Sequence, residues 1–141
     1  MSEKLLNLLG LMRKAGAIEI GEMNAGAACR GGKGKVLLLA SDASDNARRR
    51  AESFVNGRRT LLLEVPFTKE QISEKVGVGG CSMAALTDLG FANAFLRGLA
   101  EAEPERYGEA AENMEKRLGK AVKRRKSTAE EKKKHQGKRE E

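Results

Sequence analysis

The chain has 141 residues, 27 Lys/Arg against 20 Asp/Glu for a net charge of +7, only 4% aromatic residues and no Trp. A length of this order fits one domain whose core can fold without disulfide or metal staples, and no stretch approaches the roughly 18 apolar residues of a membrane helix. The opening residues do not read as a signal peptide, so the cytoplasm is the expected location, and the basic balance points to a polyanionic partner, most simply nucleic acid.

Residues 3–15 set Leu5, Leu8, Leu9 and Met12 at the i, i+3, i+4, i+7 spacing of one helical face, with Gly16 as the stop. Ala17 to Ile20 reads as a short strand. Gly21 then turns the chain into a helix over 22–30, whose Ala25, Gly26, Ala28 and Cys29 are small enough for close packing. The run Val36 to Ala40 is bounded by polar residues and reads as a strand buried on both faces, with Ser41 and Asp42 supplying turn and cap chemistry. The next helix carries Arg48, Arg49 and Arg50 and turns Ala47, Ala51, Phe54 and Val55 inward, with Asn56 and Gly57 at its end.

Thr60 to Val65 is expected as a second buried strand, closed by Pro66. Thr68 and Gln71 have capping-box spacing for a helix over 69–76, stopped by Gly77. Residues 77–80 form a loop, 82–86 another strand, and Asp88 a cap before a last core helix with Phe91, Phe95 and Leu99 inward. The alternation describes an α/β fold: a three-layer α/β/α sandwich on a small mixed sheet, plus a basic C-terminal tail. Residues 1–103 form the domain. Residues 104–125 follow as a charged helical extension, solvated or seeking a partner, in which Tyr107, Met114, Leu118 and Val122 are the main apolar residues. Residues 126–141 have nothing to bury and are expected to be disordered.

The sequence offers little to catalysis. His135, the single histidine, lies in that tail, so His-based acid–base chemistry is not expected in the core, and no Ser–His or Cys–His system can be built there. Cys29 and Cys81 lack metal-ligand spacing and read as core residues of a reducing compartment. GGKGK at 31–35 and GVGGCS at 77–82 both follow helices rather than strands, which disfavours phosphate-loop and dinucleotide readings. Asp42, Asp45 and Asp88 sit where helix caps and first-turn charges belong. No enzyme activity, cofactor or metal is expected. The scarcity of aromatic residues also argues against base-stacking single-strand binding and for contacts through loops, backbone amides and basic side chains.

Three strings, LLGLMRKAG at 8–16, IGEMNAGAACRGGKGKVLLLASDASDN at 20–46 and ALTDLGFANAF at 85–95, fall in the order and spacing of a known family. Over about residues 3–100 the chain resembles the bacterial YlxQ-like branch of the ribosomal-protein superfamily that binds kink-turn RNA. The resemblance implies a sandwich that grips a sharply bent RNA backbone with two segments. One is the start of the second helix, with a Gly-x-Asn-Glu-x-x-Lys pattern, and the other is the loop before the last strand, which follows a permissive Gly. Gly21 and Gly77 match the two glycines. Met23 stands where the family has Asn, Asn24 where it has Glu, and Ala27 where it has Lys.

Carried onto this chain, the expected RNA-binding residues are Gly21, Glu22, Met23, Asn24 and Ala27 of the helix edge and Gly77, Val78, Gly79, Gly80, Cys81, Ser82 and Met83 of the loop. Arg30, Lys33 and Lys35, with Arg13 and Lys14, are expected as phosphate contacts around the same end. The implied partner is structured RNA, kink-turn or ribosomal, bound by a monomer associated with the ribosome, with no membrane involved. The second reading is a protein-interaction or scaffold domain that keeps the fold but has lost kink-turn specificity.

Overall fold

The computed structural model describes the backbone of residues 2–140 and the side chains of residues 3–126. Its elements run α1 (Ser2–Ala15), β1 (Ile18–Ile20), α2 (Glu22–Arg30), β2 (Val36–Leu39), α3 (Asp45–Val55), β3 (Leu61–Glu64), α4 (Lys69–Val76), β4 (Met83–Leu86), α5 (Leu89–Ala102) and α6 (Pro104–Glu140). The sheet is mixed, in the order β1-β4-β2-β3. Strand β4 runs antiparallel to both β1 and β2, and β2 runs parallel to β3. Strands β1, β2 and β3 therefore all point the same way, so their starts share one end of the sheet and their finishes the other.

Four consecutive buried residues in β2 supply both layers. Val36 and Leu38 face a core built with Leu9 and Met12 of α1, Ile72 of α4, and Phe95 and Leu99 of α5. Leu37 and Leu39 face the smaller core of α2 and α3, with Ala25, Cys29, Ala47 and Ala51. Small residues on α2 let α3 approach closely: a Cβ placed on Gly26 would lie 2.7 Å from the Phe54 ring.

Three expectations change. Strand β3 is half-buried rather than buried, because it is an edge strand and its apolar run is covered on one margin only. Asp42 does not cap the helix that follows it. Ser44 does, accepting the Ala47 N–H at 3.1 Å, while Asp42 Oδ1 accepts the Lys69 N–H at 2.8 Å and so anchors the first turn of α4. The capping box of Thr68 and Gln71 and the cap at Asp88 form as expected.

The third change concerns the segment expected as a solvated or partner-seeking helix. Tyr107 and Met114 are 1% and 0% exposed, and with Ala111 they join the core through the outer side of α5. The Tyr107 hydroxyl donates to the Glu64 carbonyl at 2.6 Å, and the Glu64 carboxylate pairs with Arg48 and, at 2.9 Å, with Arg106. Burial pushes the Tyr107 phenol up to about 12. Val122 is exposed, so the docking fades along the helix. The expected disorder of 126–141 falls, beyond Lys126, on residues outside those with described side chains, and so does His135.

Candidate nucleic-acid interface

The α2 edge and the 77–83 loop meet at the finishing end of β2. The Gly21 N–H donates to the Met83 carbonyl at 3.0 Å, and the Ala40 N–H donates to the Ser82 carbonyl at 2.8 Å. Gly21 adopts φ 89° and ψ 162°, a region essentially reserved for glycine, and this lets the chain leave β1 and enter α2 without a break in that contact. On the other side Gly77 closes α4 in the left-handed conformation, φ 73°.

Between these segments lies an open groove of about 710 Å³ whose lining includes Glu22, Asp42, Arg50, Lys69, Gly80 and Ser82. The first turns of α2, α3 and α4 all contribute to its walls, so the positive ends of three helix dipoles lie around it; side chains cap α3 and α4, whereas no side chain caps α2. Its side-chain charges are mixed: Glu22, Asp42 and Glu70 against Arg50 and Lys69. Arg50 pairs with Glu22 at 2.6 Å, tying α3 to α2 across the groove, and Arg48 is taken up by Glu64. Two of the three consecutive arginines therefore hold the fold together at this end. Chemically the groove offers hydrogen-bond donors, acceptors and bare glycine backbone rather than a field of cations.

The expected site residues divide three ways. Gly21, Glu22, Met23, Asn24 and Ala27 lie along one edge, with Met23 83% exposed. The Asn24 amide donates to the Ile20 carbonyl at 3.0 Å, which leaves its side-chain oxygen facing outward as an acceptor. Gly77, Gly79 and Gly80 are exposed, and Val78 and Ser82 half-buried.

Cys81 and Met83 are buried to 1% exposure, so what they offer a ligand is backbone rather than side chain. The Cys81 thiol donates to the Met83 carbonyl at 3.4 Å, and its N–H donates to Ser73 Oγ at 3.1 Å. Burial pushes the Cys81 thiol up, which keeps it an uncharged anchor of the loop.

Arg13, Lys14, Arg30, Lys33 and Lys35 form the third group. They lie toward the starting end of the strands, with α2, about 13 Å long, separating Arg30 from Gly21. The reason is topological: α1 runs into the start of β1, and α2 returns the chain to the start of β2. The sequence reading missed Arg58, Arg59, Arg117 and Lys120, which gather at that same far end. No local pattern joins residues so widely separated along the chain, and only the position of α6 brings them together.

No protein-family model matches the chain. Over 79 residues it is 30% identical to a protein of Enterococcus faecium named RNA-binding protein YlxQ, an alignment spanning 53% of this chain and 72% of that one. Among solved structures it resembles a Bacillus halodurans protein of unknown function, with TM-score 0.60 and 22% identity, covering 65% of this chain and 92% of that one. It also resembles a Giardia lamblia 15.5 kD RNA-binding protein, with TM-score 0.56 and 20% identity over 72% and 88% of the two chains. Among the described residues no helix is long and apolar enough to cross a membrane. The strand order, the glycine that turns β1 into α2 and the match across most of the Enterococcus protein lead to one conclusion: this chain belongs to the YlxQ-like family.

Proposed function

We propose that the chain binds structured RNA in the cytoplasm, kink-turn-like or ribosomal and on the ribosome, as a monomer and without catalysing a reaction. The observation that carries this reading is the convergence of the Gly21–Asn24 edge and the 77–82 loop on one groove, fixed by the Gly21 N–H to Met83 carbonyl contact. It is supported by the name of the Enterococcus relative, an RNA-binding protein. The chemistry of the groove favours recognition of backbone shape: the start of α2, which no side chain caps, offers N–H groups to phosphates, and exposed glycines let a ribose approach closely. Asn24 contributes one outward acceptor, and a single such bond is worth about 0.5–1.5 kcal/mol, roughly a tenfold affinity change at most.

The experiment titrates a labelled kink-turn RNA and a straight duplex of equal length at two salt concentrations. Preference for the bent RNA, reduced by Asn24→Ala and by Gly80→Val, is expected. Equal affinities that vanish together as salt rises would overturn the reading. A protein-interaction or scaffold role has one observation in its favour, the 83% exposure of Met23 beside three groove carboxylates. That role predicts that Met23→Lys abolishes a protein complex while leaving RNA binding intact.

A further inference from the structure

At the starting end of the sheet, opposite the groove just described, a second depression of about 470 Å³ opens between α6 and the loops that lead into β2 and β3. Its charged lining is Lys35, Arg58, Arg59, Arg117, Lys120 and Arg124, and no carboxylate lines it among the described residues. Nor does any described carboxylate pair with Lys35, Arg58, Arg59, Arg117 or Lys120. Arg58 instead donates to the Arg30 carbonyl at 3.4 Å, and Arg30 lies over the Phe54 ring. Burial, and after it the neighbouring Arg59, pushes the Arg117 guanidinium down. Like charges packed this way weaken the fold unless a ligand offsets them.

From this cluster we infer that the depression is a second RNA site, which takes the phosphodiester backbone of a straight helical segment regardless of its sequence. Arg117 and Lys120 lie one turn apart on one face of α6, a rise of about 4.5 Å, so both can reach neighbouring phosphates of one strand. Arginine forks suit phosphate oxygens, and the exposed Gly32 and Gly57 leave room for a backbone at the rim. Among the described residues the apolar lining is Cys29, Leu89 and Ala121 and no aromatic ring lines the depression, so base stacking has no platform there. The two sites are separated by the length of β2 and its flanks, about 20 Å, so one folded RNA can reach both.

This inference rests on the reading of the chain as an RNA binder, and its test separates the two. The full chain, the double variant Arg59→Gln/Arg117→Gln and a charge-matched control, Lys4→Gln/Arg97→Gln, are titrated with a straight RNA duplex and with a kink-turn RNA across a salt series, with thermal melting to check folding. The Arg59→Gln/Arg117→Gln variant is expected to bind the straight duplex on the order of tenfold more weakly, with a log–log salt slope shallower by about 2, while the control stays near wild type. Equal losses in both variants would reduce the effect to bulk charge, and no loss in either would leave the depression without a ligand. Both results overturn the site. If the Arg59→Gln/Arg117→Gln variant loses duplex binding but Asn24→Ala and Gly80→Val leave bent-RNA binding unchanged, the far site stands and the proposed gripping surface falls. The reverse pattern sinks the far site alone.

Discussion

Replacing Met114 by Ala tests whether the start of α6 belongs to the folded core. The residue is fully buried, two turns beyond Tyr107, and packs with Ala111 in the cluster that also holds Phe95 and Leu99. Removing a fully buried Met side chain costs about 2–5 kcal/mol, the transfer term plus the cavity left behind. The upper half of that range is less apt here, because a site between two surface helices can partly collapse, so about 3 kcal/mol is expected. For a chain of this size that lowers the Tm by roughly 10 °C. Val122, which is 40% exposed further along the same helix, serves as the internal control, and Val122→Ala should stay within about 0.5 kcal/mol of wild type. Urea unfolding followed by far-UV circular dichroism measures both. A Met114→Ala protein as stable as the Val122→Ala protein would show that α6 does not dock, and the second cationic depression would lose one of its walls.

Tyr107→Phe should cost about 1 kcal/mol by removing the hydroxyl that donates to the Glu64 carbonyl. The same residue sets an alkaline limit. Its folded pKa of about 12 lies above the unfolded value near 10, so the native state holds its proton longer, and this contribution is complete below pH 10 and lost as pH rises toward 12. Ultraviolet titration of the phenolate alongside chemical denaturation should show that decline, and Tyr107→Phe should lack it. Gly21→Ala has open space around the new methyl group but must hold φ 89°, so backbone strain of about 1–3 kcal/mol is expected. In that variant the amide resonances of residue 21 and of Ala84, whose peptide unit contains the Met83 carbonyl, should move together, because one hydrogen bond joins their segments. An unchanged melting temperature would show that the turn does not need a glycine.

Most of the fold could be read locally, because the signals that set each element are local. The Thr68/Gln71 spacing is a capping box whatever lies around it, and Leu5, Leu9 and Met12 define a helical face without reference to a partner. What sequence order cannot supply is the identity of neighbours. Leu61 to Leu63 is as apolar as Leu37 to Leu39, yet one run lies at the edge and the other at the centre, since strand order is decided by crossovers rather than by composition. The stripe through Tyr107 and Met114 was visible, but its cover was not. The last core helix buries Ala92, Asn93, Phe95, Leu96 and Leu99, and α6 packs against it.

The candidate site was half legible for the same reason. Gly21 and Gly77 mark the two segments by their backbone needs, and these do converge. The basic residues were assigned to that end on proximity along the chain, whereas the direction of α2 carries Arg30, Lys33 and Lys35 to the other.

Whether the Gly21–Asn24 edge and the 77–82 loop form one RNA-gripping surface is decided by amide chemical-shift mapping of the full chain with a kink-turn RNA. Concerted shifts at residues 21–24 and 77–82 are predicted, with a second set at residues 57–60 and 117–124. Shifts confined to the second set, with the first silent at saturation, would contradict it.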